Sequence, residues 1–451
     1  MRLIRNSSPH AEHPHVHDRR VRTRSILRTL ICTLALSFLA FESSGAATKQ
    51  DGRQFVEQLL ARMTLEEKLG QMMQRPGGRS RALNSLLQDP EFERIRRGQV
   101  GSYLHVGGAE VLGKVQRIAV EQSRLGIPLL FATDVVHGYR TIFPVPIAVA
   151  SSFDPQLAEQ VARISAIEAT ASGLHWSFAP MIDISPDPRW GRIVESAGED
   201  PLLMGAMSAA YVRGFQGEDL RRPDTVLATP KHFVAYGAAA GGRDYNSTDV
   251  SWATLQNLYL PPFLAAVQAG AATVMSGFND IGGLPMSAHS PLIRGVLKQD
   301  WGFEGLVVSD WEAIHQLRNH GVAGSDAQAA LLALRAGIDM EMASSTYESL
   351  ADAARRDPAL MRHIDDAVRR ILLAKYALGL FDDPFAYHDP AREKELLLAP
   401  AHVAASREIA RRSIVLLKNE GNLLPLSRDI GTLLVVGSLA TDASTPLGSW
   451  R

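Results

Sequence analysis

The feature that most constrains the fold is an alternation that begins near residue 100. Short apolar runs that end in polar residues are followed by amphipathic stretches, such as 155–172 and 327–337. This alternation predicts parallel strands joined by helices, and closing them as a (β/α)8 barrel of the TIM type suits the length of the region. The alternative is an open doubly wound sheet, but no glycine-rich phosphate turn follows an early strand. The predicted strands are 101–106, 128–134, 175–185, 226–233, 272–279, 305–311 and 337–343.

Polar residues stand at the C-terminal ends of these apolar runs. In a barrel of parallel strands those ends form one ring around the mouth, and the reactions catalysed by this fold take place there. A single polar residue at a strand end is usually a helix cap or a turn residue, but a whole set at one face indicates a site. The set comprises Asp134, Asp183, Lys231, His232, Asn279, Asp310 and Glu341.

Asp310, in the segment VVSDWEA, is the best candidate for a catalytic carboxylate. It ends a hydrophobic run, so a barrel would present it at the mouth, and the indole of Trp311 beside it can stack on a sugar face. Glycoside hydrolysis uses two carboxyl groups together with hydrogen-bonding groups for the sugar hydroxyls. The local pattern alone is equally compatible with Asp310 as the N-cap of the following helix.

Two cationic residues, Lys231 and His232, are adjacent at the end of another run. In a regular strand their side chains would point to opposite faces, so both reach one ligand only where the strand frays or bulges. A Schiff-base lysine is a sharper alternative, but no second lysine or phosphate site marks it. Asp134 and Arg192 add an acceptor pair and a planar donor fork, which suit neighbouring sugar hydroxyls.

The composition favours a neutral small molecule as the ligand. The chain has 451 residues, 46% of them apolar and 21% charged, with a net charge of −1. This balance gives no electrostatic basis for binding nucleic acid or an anionic membrane. A metal site built from His137, His232 and Asp310 matches no known ligand spacing, so neither a metal nor an organic cofactor is expected.

A secretory signal peptide is predicted over residues 1–47. Basic residues precede the uncharged run 29–41 and small residues follow at 43–47, which is the three-part pattern of export signals. The run is shorter than a comfortable membrane span, although a membrane anchor is the alternative. We therefore expect a periplasmic or secreted protein without stable membrane association once the signal, with the single cysteine Cys32, is removed.

A change of pattern in the last part of the chain predicts a second domain. The amphipathic helix 363–383 ends at Pro384, and a polar linker follows. The apolar stretches 413–426 and 432–438 then resemble the first strand of an incomplete α/β sandwich domain. The expected division is a signal peptide at 1–47, the barrel at 48–390, a linker at 391–409 and the start of a truncated domain at 410–451.

Several longer segments match, in order, the motifs of one enzyme family. They are MTLEEKLGQM (63–72), ATDVVHGYRTIFPVP (132–146), APMIDISPDPRWGR (179–192), GEDP (198–201), TPKHFVAYG (229–237), GLVVSDW (305–311), RRILLAKYALGLFDDP (369–384) and ARRSIVLLKNEGNLLPL (410–426). On these segments the chain resembles glycoside hydrolase family 3 and, within it, the bacterial periplasmic β-glucosidase type. Together the motifs are highly specific.

The resemblance implies a retaining β-glycosidase that hydrolyses terminal non-reducing β-D-glucosyl residues without a metal or cofactor. Its partner would be a small β-glucoside or oligosaccharide, and Asp310 would be the nucleophile that forms a covalent glycosyl-enzyme. Met275 would lie near the bound sugar, and Trp311 would line the next subsite. The residues implied to bind the glycone in the −1 subsite are Asp134, Arg192, Lys231 and His232.

Two features of the sequence depart from the family pattern. Phe278 stands where many relatives carry a tyrosine, so a hydrogen bond to the nucleophile is missing. The loop 237–250 contains Asp244 but lacks the catalytic Asp–x–His of the single-domain N-acetylglucosaminidases. The chain thus resembles the two-domain type, whose acid/base glutamate comes from the second domain and is expected beyond residue 451. That role is not assigned to Glu195, Glu199 or Glu341.

Two alternatives to an active β-glucosidase are open at this point. The first is a catalytically impaired sugar-binding remnant, in which the −1 subsite persists without an acid/base. The second is an enzyme of the same family with another glycone, a β-xylosidase or a β-N-acetylglucosaminidase. A panel of aryl glycosides separates the glycones, because a subsite that hydrogen-bonds one sugar rejects analogues without those groups.

Overall fold

The computed structural model of the chain describes residues 50–77, 89–448 and 450. The predicted signal peptide and Cys32 lie outside these residues. From Val56 onward the described chain forms one compact unit.

Thr64 and Glu67 have the spacing of a capping box, and a helix begins there. Helix α1 covers Leu65–Gln71, and Thr64 caps it through a reciprocal capping box with Glu67. Strand β1, Met73–Pro76, follows this helix almost at once. Its sequence MQRP contains no apolar run, so the pattern does not reveal it. The strand forms because parallel neighbours on both sides bond its main chain.

Of the eight remaining strands, six lie within predicted apolar runs and two short ones, at 280–281 and 284–285, do not. They are β2 (Ser102–Leu104), β3 (Leu130–Thr133), β4 (Trp176–Ser177), β5 (Thr273–Met275), β6 (Asp280–Ile281), β7 (Leu284–Pro285), β8 (Leu306–Trp311) and β9 (Met340–Met342). Seven strands form one parallel sheet in the order β4–β3–β2–β1–β9–β8–β5. Strands β6 and β7 form a separate antiparallel pair. Parallel neighbours require crossover connections, which the intervening helices provide.

The predicted strand at 226–233 closes the sheet without forming a regular ladder. It makes isolated parallel bridges from Leu227 to Trp176 of β4 and from Phe233 to Ser276, the residue after β5. The segment therefore fills the gap between the two edge strands and gives eight strand positions around a TIM-like (β/α)8 barrel. This confirms the predicted fold class and excludes the open sheet, whose edge strands would stay unpaired.

Helices join the strands, and several of them begin at a side-chain cap. After α1 they are α2 (Asp89–Arg96), α3 (Ala109–Gln122), α4 (Pro146–Ala150), α5 (Pro155–Ala171), α6 (Pro201–Gln216), α7 (Leu260–Gln268), α8 (Asp326–Ala336), α9 (Leu350–Arg356), α10 (Leu360–Ala377), α11 (Pro390–Leu396) and α12 (Pro400–Arg412). Helices α5 and α8 match the predicted amphipathic stretches, and Asp154 and Ser325 cap them. Segments Leu255–Tyr259 and Pro291–Asp300 are π-helical. Within the described ranges, no helix is long and apolar enough to cross a membrane.

The C-terminal part differs from the sequence prediction in two respects. The predicted linker, 391–409, is largely helical, because α11 and α12 dock on the barrel through Glu393 and the buried Ile409. The first strand predicted for a sandwich domain is not formed. Within the described part of the chain, 432–438 has no ladder partner and its apolar side chains are exposed. A strand needs a neighbour to bond its main chain, and an apolar run in the sequence does not supply one.

Candidate active site

A cavity of about 990 Å³ opens at the C-terminal ends of the barrel strands. Each of the eight strand positions contributes a lining residue at or just after its end, from Pro76 of β1 to Met342 of β9. The structure thus brings together residues that are widely separated in the sequence. All seven site residues expected from the sequence line it: Asp310, Asp134, Arg192, Lys231, His232, Met275 and Trp311.

Asp310 lies at the end of β8 and is 8% exposed. Its Oδ1 accepts the main-chain N–H of Trp311 at 2.6 Å, and its Oδ2 is 3.2 Å from Nε2 of His232. Burial raises the pKa of Asp310 to about 6, although the charges of Lys231 and Arg192 act in the opposite direction. The carboxylate of Asp310 faces the cavity and does not cap the following helix. The alternative that Asp310 is only a helix N-cap is therefore wrong.

Asp134 follows β3 directly and is paired on both oxygens. Its Oδ1 accepts from Nζ of Lys231 at 2.5 Å, and its Oδ2 lies 3.2 Å from Nε2 of His105. Burial would raise the pKa of Asp134, but the Lys231 ammonium and the His105 contact outweigh it and lower the pKa to about 2. Asp134 is therefore an ionised acceptor at neutral pH. His105, at the end of β2, did not stand out in the sequence because GSYLHV resembles an ordinary buried run.

Arg192 is held in place by Glu195. The guanidinium donates from Nε to Oε1 at 2.8 Å and from Nη2 to Oε2 at 3.0 Å, a bidentate geometry that fixes its plane. It also lies over the ring of Tyr236, 5.7 Å from the centroid. Burial by itself would lower the pKa of Arg192, and the Glu195 carboxylate more than offsets this and raises it. A short 3-10 turn, Ile193–Glu195, places the two side chains together.

His232 is buried between two carboxylates. Its Nδ1 lies 2.7 Å from Oδ2 of Asp183, which also accepts the main-chain N–H of His232 at 3.1 Å. Burial raises the pKa of Asp183 to about 7 and, together with the charge of Arg192, lowers the pKa of His232. Both Lys231 and His232 line the cavity, as expected only if this segment departs from a regular strand. The Lys231–His232 peptide bond is cis.

Aromatic side chains form the walls around these polar groups. Trp311 stacks on His105, with ring centroids 5.6 Å apart and planes inclined by 21°. Phe278 packs edge-on against Tyr245, which is 61% exposed and comes from the loop 237–250. The ring of Trp450 also lines the cavity, 5.3 Å from Nζ of Lys231.

Three strand-end residues of the predicted ring do not line the cavity. Asp183 lies behind it and contacts His232. Glu341, in β9, is fully buried and accepts from the hydroxyl of Ser344 at 2.8 Å; burial raises its pKa to about 7. Asn279 donates to the main-chain carbonyl of Val234 at 3.2 Å. Glu341 and Asn279 serve local structure, because strand residues alternate between the two faces of a sheet. Over residues 50–77 and 89–448, no group of three or more His, Cys, Asp or Glu is placed to hold a metal ion.

Comparison with known proteins gives consistent results. The family model described as glycosyl hydrolase family 3 N terminal domain matches residues 64–374. The chain is 40% identical to a periplasmic β-glucosidase of Salmonella typhimurium, over 88% of this chain and 52% of the relative. It is 36% identical to a β-xylosidase of Formosa agariphila, over 76% of this chain and 50% of the relative.

The fold is also similar to a solved β-glucosidase of Listeria innocua in complex with glucose. The TM-score is 0.78 at 38% sequence identity, over 83% of this chain and 53% of that chain. The chain spans about half the length of the relatives it matches. Because the family model covers most of the chain, and the barrel and its cavity agree with it, the chain belongs to glycosyl hydrolase family 3, with the N-terminal domain of that family at residues 64–374.

Proposed function

We propose that this barrel carries the nucleophile and the glycone-binding subsite of a retaining β-glucosidase. The observation that carries the proposal is the position of Asp310. It is a buried carboxylate at the mouth of a TIM-like barrel, in one cavity with two cations and an aromatic wall. The relatives named β-glucosidase support glucose as the glycone. We infer that Asp310 attacks the anomeric carbon of a β-glucoside.

The first chemical step is the formation of a glycosyl ester. An oxygen of ionised Asp310 bonds to the anomeric carbon as the bond to the aglycone oxygen breaks, and the electron pair leaves with that oxygen. Because burial raises the pKa of Asp310 to about 6, the carboxylate is ionised at neutral pH yet weakly solvated. A desolvated carboxylate is a better nucleophile than one in water, and Lys231 and Arg192 keep it charged.

The paired polar groups bind the sugar hydroxyls. Asp134 is an ionised acceptor, and Lys231 and Arg192 are donors whose positions are set by ion pairs. A subsite with its charged groups already paired and oriented loses little free energy to reorganisation when the glycone enters. Trp311, stacked on His105, offers a flat apolar surface to the leaving group.

The other carboxylates that line the cavity are suited to binding and not to proton transfer. Asp134 is paired with Lys231, and Glu195 makes two hydrogen bonds to Arg192. A general acid must be protonated at the working pH, and the lowered pKa of Asp134 rules this out for that residue. Both oxygens of Glu195 are occupied by hydrogen bonds from Arg192. We therefore assign the acid/base role to no residue of this chain. An aglycone that leaves readily, such as an acidic phenol, then needs no proton.

Trapping the intermediate tests the proposal. A 2-deoxy-2-fluoro-β-glucoside with a dinitrophenol leaving group should release one equivalent of phenol per chain and leave its sugar on the peptide that contains Asp310. Peptide mass spectrometry identifies the labelled carboxylate. Label on another residue, or no label at saturating reagent, would contradict the proposal.

A β-xylosidase is the second candidate, because two relatives from Formosa agariphila carry that name or its putative form. The same reagent with a xylose glycone separates the two candidates. A glucosidase subsite should react at least ~10-fold faster with the glucoside, since its groups would pair with the additional hydroxyl.

We also propose that the protein is exported. The predicted signal at 1–47 and the name of the periplasmic relative support this location. Export should leave a mature N-terminus close to Ala47 or Thr48, which N-terminal sequencing of periplasmic or secreted protein measures. Recovery of the intact chain with Cys32 from the cytosol would contradict it.

A further inference from the structure

Asp183 lies behind the cavity, in the segment that follows β4, and its carboxylate is buried. Its Oδ2 accepts the main-chain N–H of His232 at 3.1 Å and contacts Nδ1 of the same residue at 2.7 Å. Its Oδ1 has no hydrogen-bond partner within the described residues. The hydrogen bonds of this carboxylate therefore serve His232 alone.

Through His232 the carboxylate of Asp183 is connected to the nucleophile. Nε2 of His232 lies 3.2 Å from Oδ2 of Asp310, so the imidazole that is hydrogen-bonded to Asp183 is in direct electrostatic contact with the nucleophile. Ionised Asp310 can only accept hydrogen bonds, so this contact is favourable only while Nε2 carries a proton. A lone pair on Nε2 would instead draw a proton onto Asp310 and remove the nucleophile.

We propose that Asp183 is a positioning residue that keeps the proton on Nε2 of His232 and thereby keeps Asp310 ionised and oriented. This inference rests on the proposed function, since it concerns the same nucleophile. A carboxylate at this place lets the Asp183–His232 pair hold a second proton between Oδ2 and Nδ1, while Nε2 keeps its own.

The surroundings are consistent with such proton sharing. Burial raises the pKa of Asp183 to about 7 and lowers that of His232, which moves the shared proton toward Asp183 and leaves Nε2–H in place. The edge of the Tyr236 ring covers the imidazole, with centroids 5.0 Å apart. The other charged or titratable groups around His232 and Asp310 are Lys231, Arg192, Asp134, Glu195, Tyr236, Tyr245 and Asp244.

Asp183→Asn is an informative change because its hydrogen bonding is constrained. The position of Oδ2 accepts a main-chain N–H, which is always a donor, so the amide must place its oxygen there. Nδ1 of His232 must then donate to that oxygen, and Nε2 keeps only a lone pair. Asp310 is expected to take up a proton, so its pKa should rise by about 1–3 units.

The experiment follows the rate of covalent labelling by the dinitrophenyl 2-fluoro-β-glucoside across pH, using the full chain. In the wild type the rate should rise through about pH 6, as Asp310 ionises, and decline above about pH 7, where the Asp183–His232 pair loses its shared proton. In Asp183→Asn this rise should shift upward, so that labelling at pH 6 falls at least ~10-fold and largely recovers by about pH 9. If the Asp183 carboxylate had only a structural role, Asp183→Asn would lower the labelling rate by the same factor at every pH.

Two further variants keep the test decisive. Asp187→Asn makes the same chemical change in the same segment, but Asp187 pairs with the exposed Arg189 outside the cavity, so its profile should match the wild type. In His232→Gln, the side-chain amide supplies an N–H donor to Asp310 at every pH, because an amide does not titrate. Adding Asp183→Asn to His232→Gln should leave the pH profile of labelling unchanged, because Asp183 acts through the imidazole of His232, which this variant lacks.

The outcomes separate this inference from the proposed function. If the wild type is labelled on Asp310 and Asp183→Asn shows the same pH midpoint, the inference is wrong and the function stands. If Asp183→Asn shifts the profile equally in the His232→Gln background, Asp183 does not act through His232 and the inference is also wrong. A wild type that is not labelled at any pH removes both.

Discussion

Asp134 and Asp310 show how the neighbours of a residue decide its chemistry. Both are aspartates at strand ends in the same cavity. The pKa of Asp134 falls to about 2 because Lys231 forms an ion pair with it, which outweighs burial. The pKa of Asp310 rises to about 6 because burial outweighs more distant charges. One carboxylate is thereby suited to binding hydroxyls and the other to attack.

Replacing the proposed nucleophile is the most direct prediction at the residue scale. Asp310→Asn should abolish labelling and lower phenol release from an activated glucoside by at least ~10³-fold, because an amide cannot form the glycosyl ester. Stopped-flow absorbance and peptide mass spectrometry measure both effects. Asp300→Asn, an exposed aspartate after β7, is the matched control and should react like the wild type. Unchanged labelling in Asp310→Asn would assign the nucleophile elsewhere.

Asp134→Ala should selectively weaken recognition of the sugar hydroxyls that we propose Asp134 binds. Buried acceptors discriminate strongly against ligands without the matching hydroxyl, so single deoxy-glucosides should bind the wild type less tightly than glucosides do. One deoxy-glucoside should lose the most affinity for the wild type relative to the glucoside. For Asp134→Ala the loss of affinity at that position should be at least ~10-fold smaller. Calorimetric titration with the glucoside series measures this coupling. Equal losses for glucosides and every deoxy-glucoside would show that Asp134 is structural.

At the scale of elements, Lys375 joins three parts of the barrel. It lies on α10, and its Nζ donates to the side chain of Gln71 in α1 at 2.6 Å and to the carbonyl of Gly101, just before β2, at 3.0 Å. Both partners are neutral, and burial lowers the pKa of Lys375 to about 7. The amphipathic pattern of this helix gives no warning of a buried cation, because lysine usually marks a solvent face.

Lys375 should make the free energy of unfolding depend on pH. Its folded pKa of about 7 lies below the unfolded value of 10.5, so between these values the unfolded chain binds a proton that the folded chain does not. Stability is therefore expected to rise with pH across this window, by at most about 1.4 kcal/mol per pH unit from this group. Lys375→Met should remove that contribution, as measured by denaturant unfolding at several pH values.

The exposed Lys114, which forms an ion pair with Glu110, provides the matched control. Lys114→Met should leave the pH dependence of unfolding equal to that of the wild type. If Lys375→Met and the wild type had parallel stability curves from pH 7 to 10, Lys375 would not be neutral in the folded state.

At the scale of the whole molecule, the barrel buries its apolar side chains, whereas the C-terminal segment exposes them. Helix α12 docks on the barrel through the buried Ile409 and through Arg412, which donates to Asp154 at 2.6 Å. Beyond it, the apolar residues of 414–417 and 433–436 are exposed. Contiguous exposed apolar residues promote association, so this segment should govern the solubility of the 451-residue chain.

Ending the chain after Ser413 should increase its solubility and keep the barrel folded. This cut retains α12, whereas a cut near residue 400 would expose the apolar surface that Ile409 covers. Light scattering and thermal unfolding are measured for the full chain, the chain ending at Ser413 and the chain ending near residue 400. The cut also removes Trp450 from the cavity, so tryptophan fluorescence should respond less to an added glucoside. If the chain ending at Ser413 melted at a lower temperature than the chain ending near residue 400, helix α12 would not stabilise the barrel.

The sequence by itself determined the fold class and the candidate residues of the site. Alternating apolar and amphipathic stretches predict parallel strands and helices because these periods are local properties of the backbone. The polar residues that end the runs predict the position of the cavity for the same reason, since parallel strands end at one face. Asp310, Asp134, Lys231 and His232 could all be identified on this basis, Arg192 was added by its side-chain chemistry, and the family motifs added Met275.

Only the tertiary structure decided which of these residues pair and what charge each one carries. Lys231 and Asp134 are 97 positions apart in the chain, yet 2.5 Å separates their charged atoms. The position of β1, the closure of the barrel by 226–233 and the contact of Asp183 with His232 likewise depend on distant neighbours. The physical reason is that ion pairing, desolvation and ladder hydrogen bonds depend on distance in space, which no local pattern encodes.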